Sequence, residues 1–125
     1  MKNLKFNYCT HCKNLTITGY DAKVPMTCCG ENMIALEANS QDGAGEKHLP
    51  VVTVTGNKYE VKVGEVAHPM VDAHYISFVL LELEDGFLIK YLEPNQEPKA
   101  VFETNEKVLA AYEYCNVHGL YKVTL

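Results

Sequence analysis

The chain has 125 residues, enough for one ordinary domain, or for one domain with a very small appendage. With 47% hydrophobic and 22% charged residues, its composition excludes disorder as the main state. A net charge of -5 excludes the broad basic face expected of a nonspecific nucleic-acid binder.

Residues 1–37 hold four of the five cysteines and few large apolar side chains. A unit this small falls below the roughly 40 residues under which chains need staples to fold, so something other than a hydrophobic core must hold it. Residues 38–47 read as a linker or mobile loop, with turn signals at Asp42-Gly43 and Gly45. From there the pattern is all-β. Residues 51–55 and 58–63 flank Gly56-Asn57, a two-residue hairpin signal. A long apolar run over 74–84 ends at Asp85-Gly86, and 87–92 forms its partner. Further strands are expected over 100–104, 108–114 and 120–125. Only 105–114 could pass for a helix, and its valine and tyrosines suit a strand as well. Seven short strands with turn signals between them predict an immunoglobulin-like β-sandwich over 38–125. The fold class is therefore mainly β, a metal-stapled N-terminal domain over 1–37 followed by that sandwich. Phe78, Leu80, Leu81 and Leu83 are expected in its core, and the acidic residues 82, 84, 93, 97, 103 and 106 on solvated faces or loops.

The opening residues lack the apolar stretch a signal peptide needs, and no segment is long and apolar enough to span a bilayer. The expected location is the cytoplasm, with no membrane partner. In a reducing compartment, clustered cysteines serve more often as metal ligands than as disulfides, and an odd total points the same way. Cys9-x-x-Cys12 is followed, fifteen residues on, by the adjacent pair Cys28-Cys29. Four thiolates so spaced read as a tetrahedral metal site, against two disulfides or a plain zinc ribbon as the alternatives. Spacing alone does not choose iron over zinc. A disulfide between neighbours 28 and 29 would be strained, because adjacent Cα atoms lie only about 3.8 Å apart. The chain must bend sharply there, and Gly30 supplies the freedom. His11 lies inside the knuckle and is expected to be an exposed loop residue.

The remaining histidines and the last cysteine lie in Glu46-Lys47-His48, His68-Pro69-Met70, His74-Tyr75 and Cys115-Asn116-Val117-His118. Each histidine taken singly is more often a surface or satisfied core residue. Together with Cys115 they form a candidate second metal site at strand ends and loops. Four imidazoles and one thiolate exceed the four ligands that structural zinc prefers. They suit a square pyramid with one position open, and iron is the expected occupant. Ferrous iron with one thiolate carries net charge +1, which would draw a small anion into an acidic protein. A thiolate opposite the open position pushes electron density toward whatever binds there.

At these residues the sequence resembles desulfoferrodoxin, the two-iron class of superoxide reductase, over nearly the whole chain. The resemblance implies a desulforedoxin-like first centre, with iron held by Cys9, Cys12, Cys28 and Cys29. It implies a catalytic iron held by His48, His68 and His74 through Nε2, by His118 through Nδ1, and axially by Cys115. It implies one-electron reduction of superoxide to hydrogen peroxide without release of dioxygen, as a defence against oxidative stress. Lys47 is expected to attract superoxide and help order the proton-donating water, and Glu46 to take the sixth position of the oxidised iron once peroxide has left. A rubredoxin or similar donor would restore the ferrous state, and the chain would form a homodimer. Two departures stand out. Lys13 follows Cys12 where the family often has glycine, and its Cβ is expected either to strain that turn or to alter the amide-to-sulfur hydrogen bonds of the first centre. Tyr121 follows Gly119-Leu120 where tryptophan is common, an aromatic exchange expected to touch no ligand. The competing readings are an electron-transfer or redox-sensing protein that uses only the first iron, and a zinc-stapled interaction module.

If Lys47 acts on a charged substrate, Lys47→Ala should slow the reaction of the reduced protein with superoxide about tenfold and flatten its salt dependence. Rapid-mixing kinetics across a salt series would show this, and an unchanged rate and slope would contradict the role.

Overall fold

Twelve strands and no helix make up the regular structure of the described residues, which in this computed structural model are 4–41, 48–64 and 67–125. The chain divides into two units, Lys2–Glu37 and Ala38–Leu125.

In the first unit, β1 (Phe6–Tyr8), β2 (Leu15–Ile17) and β5 (Ile34–Leu36) form an antiparallel sheet in the order β2-β1-β5. β3 (Thr27–Cys28) and β4 (Glu31–Asn32) form a separate hairpin. Phe6 and Cys9 are buried, whereas Tyr20, Val24, Met26 and Ile34 are exposed, so the apolar interior is small, as the composition predicts. The strands themselves went unpredicted, because two or three residues are too few to display a period.

Two turns shape this unit. In the β3–β4 hairpin Cys28 pairs with Glu31, and the two linking residues both have positive φ, Cys29 at 53° and Gly30 at 77°. This is the sign pattern of a type I′ turn. It explains the adjacent cysteines: Cys28 ends a strand and Cys29 opens the turn. In the other turn the Lys13 amide donates to the Cys9 carbonyl at 2.9 Å, and Lys13 has φ 67°. A side chain in this left-handed region is strained against its own carbonyl.

The second unit is a sandwich. β6 (Pro50–Thr55), β7 (Lys58–Val63) and β10 (Lys99–Glu103) form a sheet in the order β10-β7-β6. β8 (Ile76–Leu83), β9 (Phe87–Tyr91), β11 (Val108–Cys115) and β12 (Gly119–Thr124) form the other, in the order β12-β11-β8-β9. The two-residue turn at Gly56-Asn57 joins β6 to β7 in register, Thr55 opposite Lys58, and residues 105–114 contain a strand and no helix. One core cluster joins the sheets: Val61, Val63, Ala100 and Phe102 face Val79, Leu81, Leu83, Ala111 and Cys115. Lys90 on β9 donates to the Val101 carbonyl on β10 and lies over the Phe102 ring at 5.3 Å, which ties an edge of one sheet to an edge of the other.

Two expectations need correction, those for Glu82 and the linker, whereas Phe78, Leu80, Leu81 and Leu83 are all buried as expected. Of these four, Leu81 and Leu83 belong to the cluster between the sheets. Side chains alternate across a strand, so 78 and 80 point to the opposite face. That face is also withdrawn from solvent, Leu80 to 0% exposure, which is why the run shows no polar alternation. Glu82, expected on a solvated face, is only 5% exposed and accepts a 3.3 Å hydrogen bond from the Tyr112 hydroxyl. Burial, and then the neighbouring carboxylate, push the Tyr112 phenol up to about 12. Within the expected linker, Asn39 is fixed: its amide donates to the Leu120 carbonyl and its carbonyl accepts from the Lys122 amide, both at 2.9 Å. Residues 42–47 lie outside the described residues.

Because a glycine carries no Cβ penalty at positive φ, Lys13→Gly should stabilise the first unit by about 1 kcal/mol. The guanidinium midpoint for loss of the cysteine centre's absorbance should rise, and a fall would show that the Lys13 side chain makes compensating contacts.

Candidate metal centres

The two turns of the first unit bring Cys9, Cys12, Cys28 and Cys29 together, with all four sulfurs within 4.8 Å of one another. Cys12 Sγ lies 3.6 Å from Cys28 Sγ, and Cys28 Sγ lies 4.0 Å from Cys29 Sγ. These separations are far longer than the roughly 2.05 Å of a disulfide, and all five cysteines are free thiols. Four sulfurs about 2.3 Å from one metal stand about 3.8 Å apart in a tetrahedron, so the spacing fits a bound ion. The electrostatics agree. Backbone amides of Cys12 and His11 aim at Cys9 and pull its thiol down to about 6, whereas the adjacent sulfurs push Cys28 up to about 12 and raise Cys29. Crowded sulfurs resist joint ionisation until a cation neutralises them. His11 is exposed as expected, and its Nε2 pairs with Glu31 at 3.1 Å.

The second group gathers at one end of the sandwich. His48 precedes β6, His68 and His74 lie between β7 and β8, Cys115 ends β11, and His118 sits in the β11–β12 turn. Their ligand atoms lie within 4.8 Å of one another. Ring centroids run 4.7 Å from His48 to His68, 4.9 Å from His68 to His74, 5.1 Å from His74 to His118 and 4.9 Å from His118 to His48. The four imidazoles therefore form a closed square of edge-to-face neighbours. A metal about 2.1 Å from each nitrogen would place opposite nitrogens about 4.2 Å apart, within the observed span. The Nε2 atoms of His48, His68 and His74 are withdrawn from solvent. For His118 it is Nδ1 that lies near Cys115 Sγ, at 3.9 Å. Cys115 is fully buried.

Hydrogen bonds hold several elements of this site in place. His68 Nδ1 lies 2.7 Å from the Pro69 carbonyl. Donation to that oxygen sets the tautomer that leaves Nε2 as an acceptor. The His118 amide donates to Cys115 Sγ at 3.4 Å, which folds the turn back over the sulfur. Asn116 brackets His74: its side chain accepts from the Tyr75 amide at 2.8 Å and donates to the Ala73 carbonyl at 3.1 Å. Val71 and His74 exchange both backbone hydrogen bonds at 3.0 Å, which closes that turn on itself. A register shift between β11 and β8 falls between Tyr114 and Cys115, leaving Ser77 as the extra residue on β8. This bulge lets Ile76 and Val79 both face the core beside Cys115. Met70 Sδ accepts from the Ile76 amide at 3.3 Å, a structural role outside the donor square.

The positioning role of Asn116 was missed in the sequence. The signal was an amide side chain beside a candidate ligand, a residue type that mimics backbone hydrogen bonding. The expectation that Tyr121 touches no ligand is wrong. Its ring stacks on His48, with centroids 4.5 Å apart and planes at 11°. Glu46 and Lys47 lie outside the described residues.

The sequence profile described as Desulfoferrodoxin matches residues 40–124. Desulfoferrodoxin of Nitratidesulfovibrio vulgaris is 40% identical over 114 residues, covering 91% of this chain and 90% of that protein. Desulfoferrodoxin of Desulfarculus baarsii is 37% identical over 121 residues, covering 97% and 96%. Among solved structures, the superoxide reductase from Treponema pallidum superposes with a TM-score of 0.83 at 34% identity, over 98% of both chains. With its fold, both donor clusters and these relatives in agreement, the chain belongs to the desulfoferrodoxin family.

Proposed function

We propose that the chain is a superoxide reductase that carries two iron ions, one in the desulforedoxin-like domain over 1–37 and one in the catalytic sandwich over 38–125. Cys9, Cys12, Cys28 and Cys29 would hold the first, and His48, His68, His74, Cys115 and His118 the second. The observation that carries this reading is the square of four imidazoles with a buried cysteine beside it. Five donors exceed what structural zinc takes, and imidazole with thiolate suits iron.

The ferrous iron that these five residues would hold supplies the one electron that, with two protons, turns superoxide into hydrogen peroxide without release of dioxygen. The protein's part is to hold the donors rigidly and to admit the anion. The Pro69 carbonyl keeps the His68 imidazole from turning, and the Asn116 side chain fixes the backbone on either side of His74. The His118 amide stabilises negative charge on Cys115 and so favours the thiolate. Lys47, next to His48 in the sequence, would attract superoxide and order the proton-donating water, and Glu46 would serve as the ligand of the oxidised state; both roles rest on the family resemblance. Each turnover consumes one electron, so a donor such as a rubredoxin must return it. The resemblance supports a homodimer. The thiol-rich composition supports the cytoplasm, and among the described residues no helix is long and apolar enough to cross a membrane.

Two outcomes test this reading. A superoxide pulse on the reduced protein should yield hydrogen peroxide and no dioxygen, whereas stoichiometric dioxygen or no reaction would refute it. Metal uptake at the cysteine site should be pH-dependent. Above pH 6 Cys9 is already a thiolate, but Cys28, at about 12, must expel a proton when metal binds. Apparent affinity should therefore rise at least about tenfold per pH unit through neutrality, read by competition with a chelator. A flat profile would contradict that proton count.

A further inference from the structure

The His68 ring is held by the Pro69 carbonyl, and the backbones at His74 and His118 by hydrogen bonds of their own two loops. His48 is different, because its plane is matched by a ring from β12. Tyr121 lies parallel to the His48 imidazole at 4.5 Å and is 8% exposed. The backbone on either side of Tyr121 is fixed as well. Leu120 accepts from the Asn39 amide and again, at 3.2 Å, from the Asn39 side chain, while the Lys122 amide donates to the Asn39 carbonyl. Tyr121 is thus the bridge partner of Asn39 through its backbone and the stacking partner of His48 through its ring. The residues on either side of the Glu46-Lys47 stretch, Asn39 before it and His48 after it, both register on Tyr121.

We infer that Tyr121 is a positioning residue for the second metal centre, its aromatic face setting the orientation in which His48 meets the metal. The parallel stack leaves the His48 ring free to slide little and to rotate out of plane not at all without losing contact area. A ligand fixed this way adds its lone pair to the square at no further ordering cost. Hydrogen-bonding partners that orient a metal's ligands change affinity by about 10–100-fold when removed, and a stack that sets ligand orientation is expected to act on the same scale. The hydroxyl is not needed for the stack, so the ring alone carries the effect.

The inference rests on the proposed metal centre, and its test separates the two. The full-length protein, loaded with iron at both centres, is compared as parent, Tyr121→Phe and Tyr121→Leu. Readouts are the rate of iron loss from the second centre to a chelator and the thiolate absorption band of that centre, with the cysteine centre as internal control. Tyr121→Phe should stay within about twofold of the parent. Tyr121→Leu should lose iron from the second centre about 10–100-fold faster, with its band shifted and the first centre unchanged. Equal behaviour of parent and Tyr121→Leu would overturn the inference while leaving the centre intact. Equal damage in Tyr121→Phe and Tyr121→Leu would overturn it too, by assigning the role to the hydroxyl. A parent that binds no iron in the second centre would overturn both readings. Should Tyr121→Leu fail to fold, proton spectra of the metal-free parent and Tyr121→Phe decide. The His48 ring protons should be shifted upfield in both by the stacked face, and resonances like those of exposed His11 would refute the stack.

Discussion

Lone pairs crowded onto one point govern this molecule. Four imidazoles and a buried thiol converge at one end of the sandwich, and four thiols converge in the first unit. Lone pairs of like sign repel at such distances, and their protons compete for the same space. A cation among them turns that repulsion into attraction. At Cys28 the neighbouring sulfurs hold the proton on, whereas at Cys9 the backbone amides of Cys12 and His11 draw it off.

The sandwich serves the second centre by bringing distant segments to one end and then holding them still. The bulge at Ser77, the Asn116 bridge to the His74 turn and the His118 amide on Cys115 all act within a few residues of a donor. The small first unit has little core to spare for such rigidity. It uses two tight turns, one of which places Lys13 in a conformation that glycine would adopt more easily.

The sandwich strands were legible because turn signals and β-branched runs repeat at short intervals. The hairpin at Gly56-Asn57 fell into register as predicted, and the long run over 74–84 contains β8. Parity was not legible there. With both faces of β8 withdrawn from water, the run is apolar but for Ser77 and Glu82, so the face of Phe78 and Leu80 could not be told from that of Leu81 and Leu83. Glu82 misled for the opposite reason, since a charged residue signals solvent unless its partner, here Tyr112 thirty positions away, is known. The donors themselves stood out because cysteine and histidine are scarce and sit in short patterns. The residues that orient them did not: Asn116 and Tyr121 are ordinary residue types whose roles depend on register between strands.

The central claim is that the two donor clusters hold iron in two unlike thiolate environments. The most direct test is the electronic spectrum of the oxidised protein, taken with its metal content. Two iron ions per chain and two distinct thiolate-to-iron bands are predicted, one of them lost when Cys115 is replaced by serine. A single band that survives that replacement, or zinc in the second centre, would contradict the account.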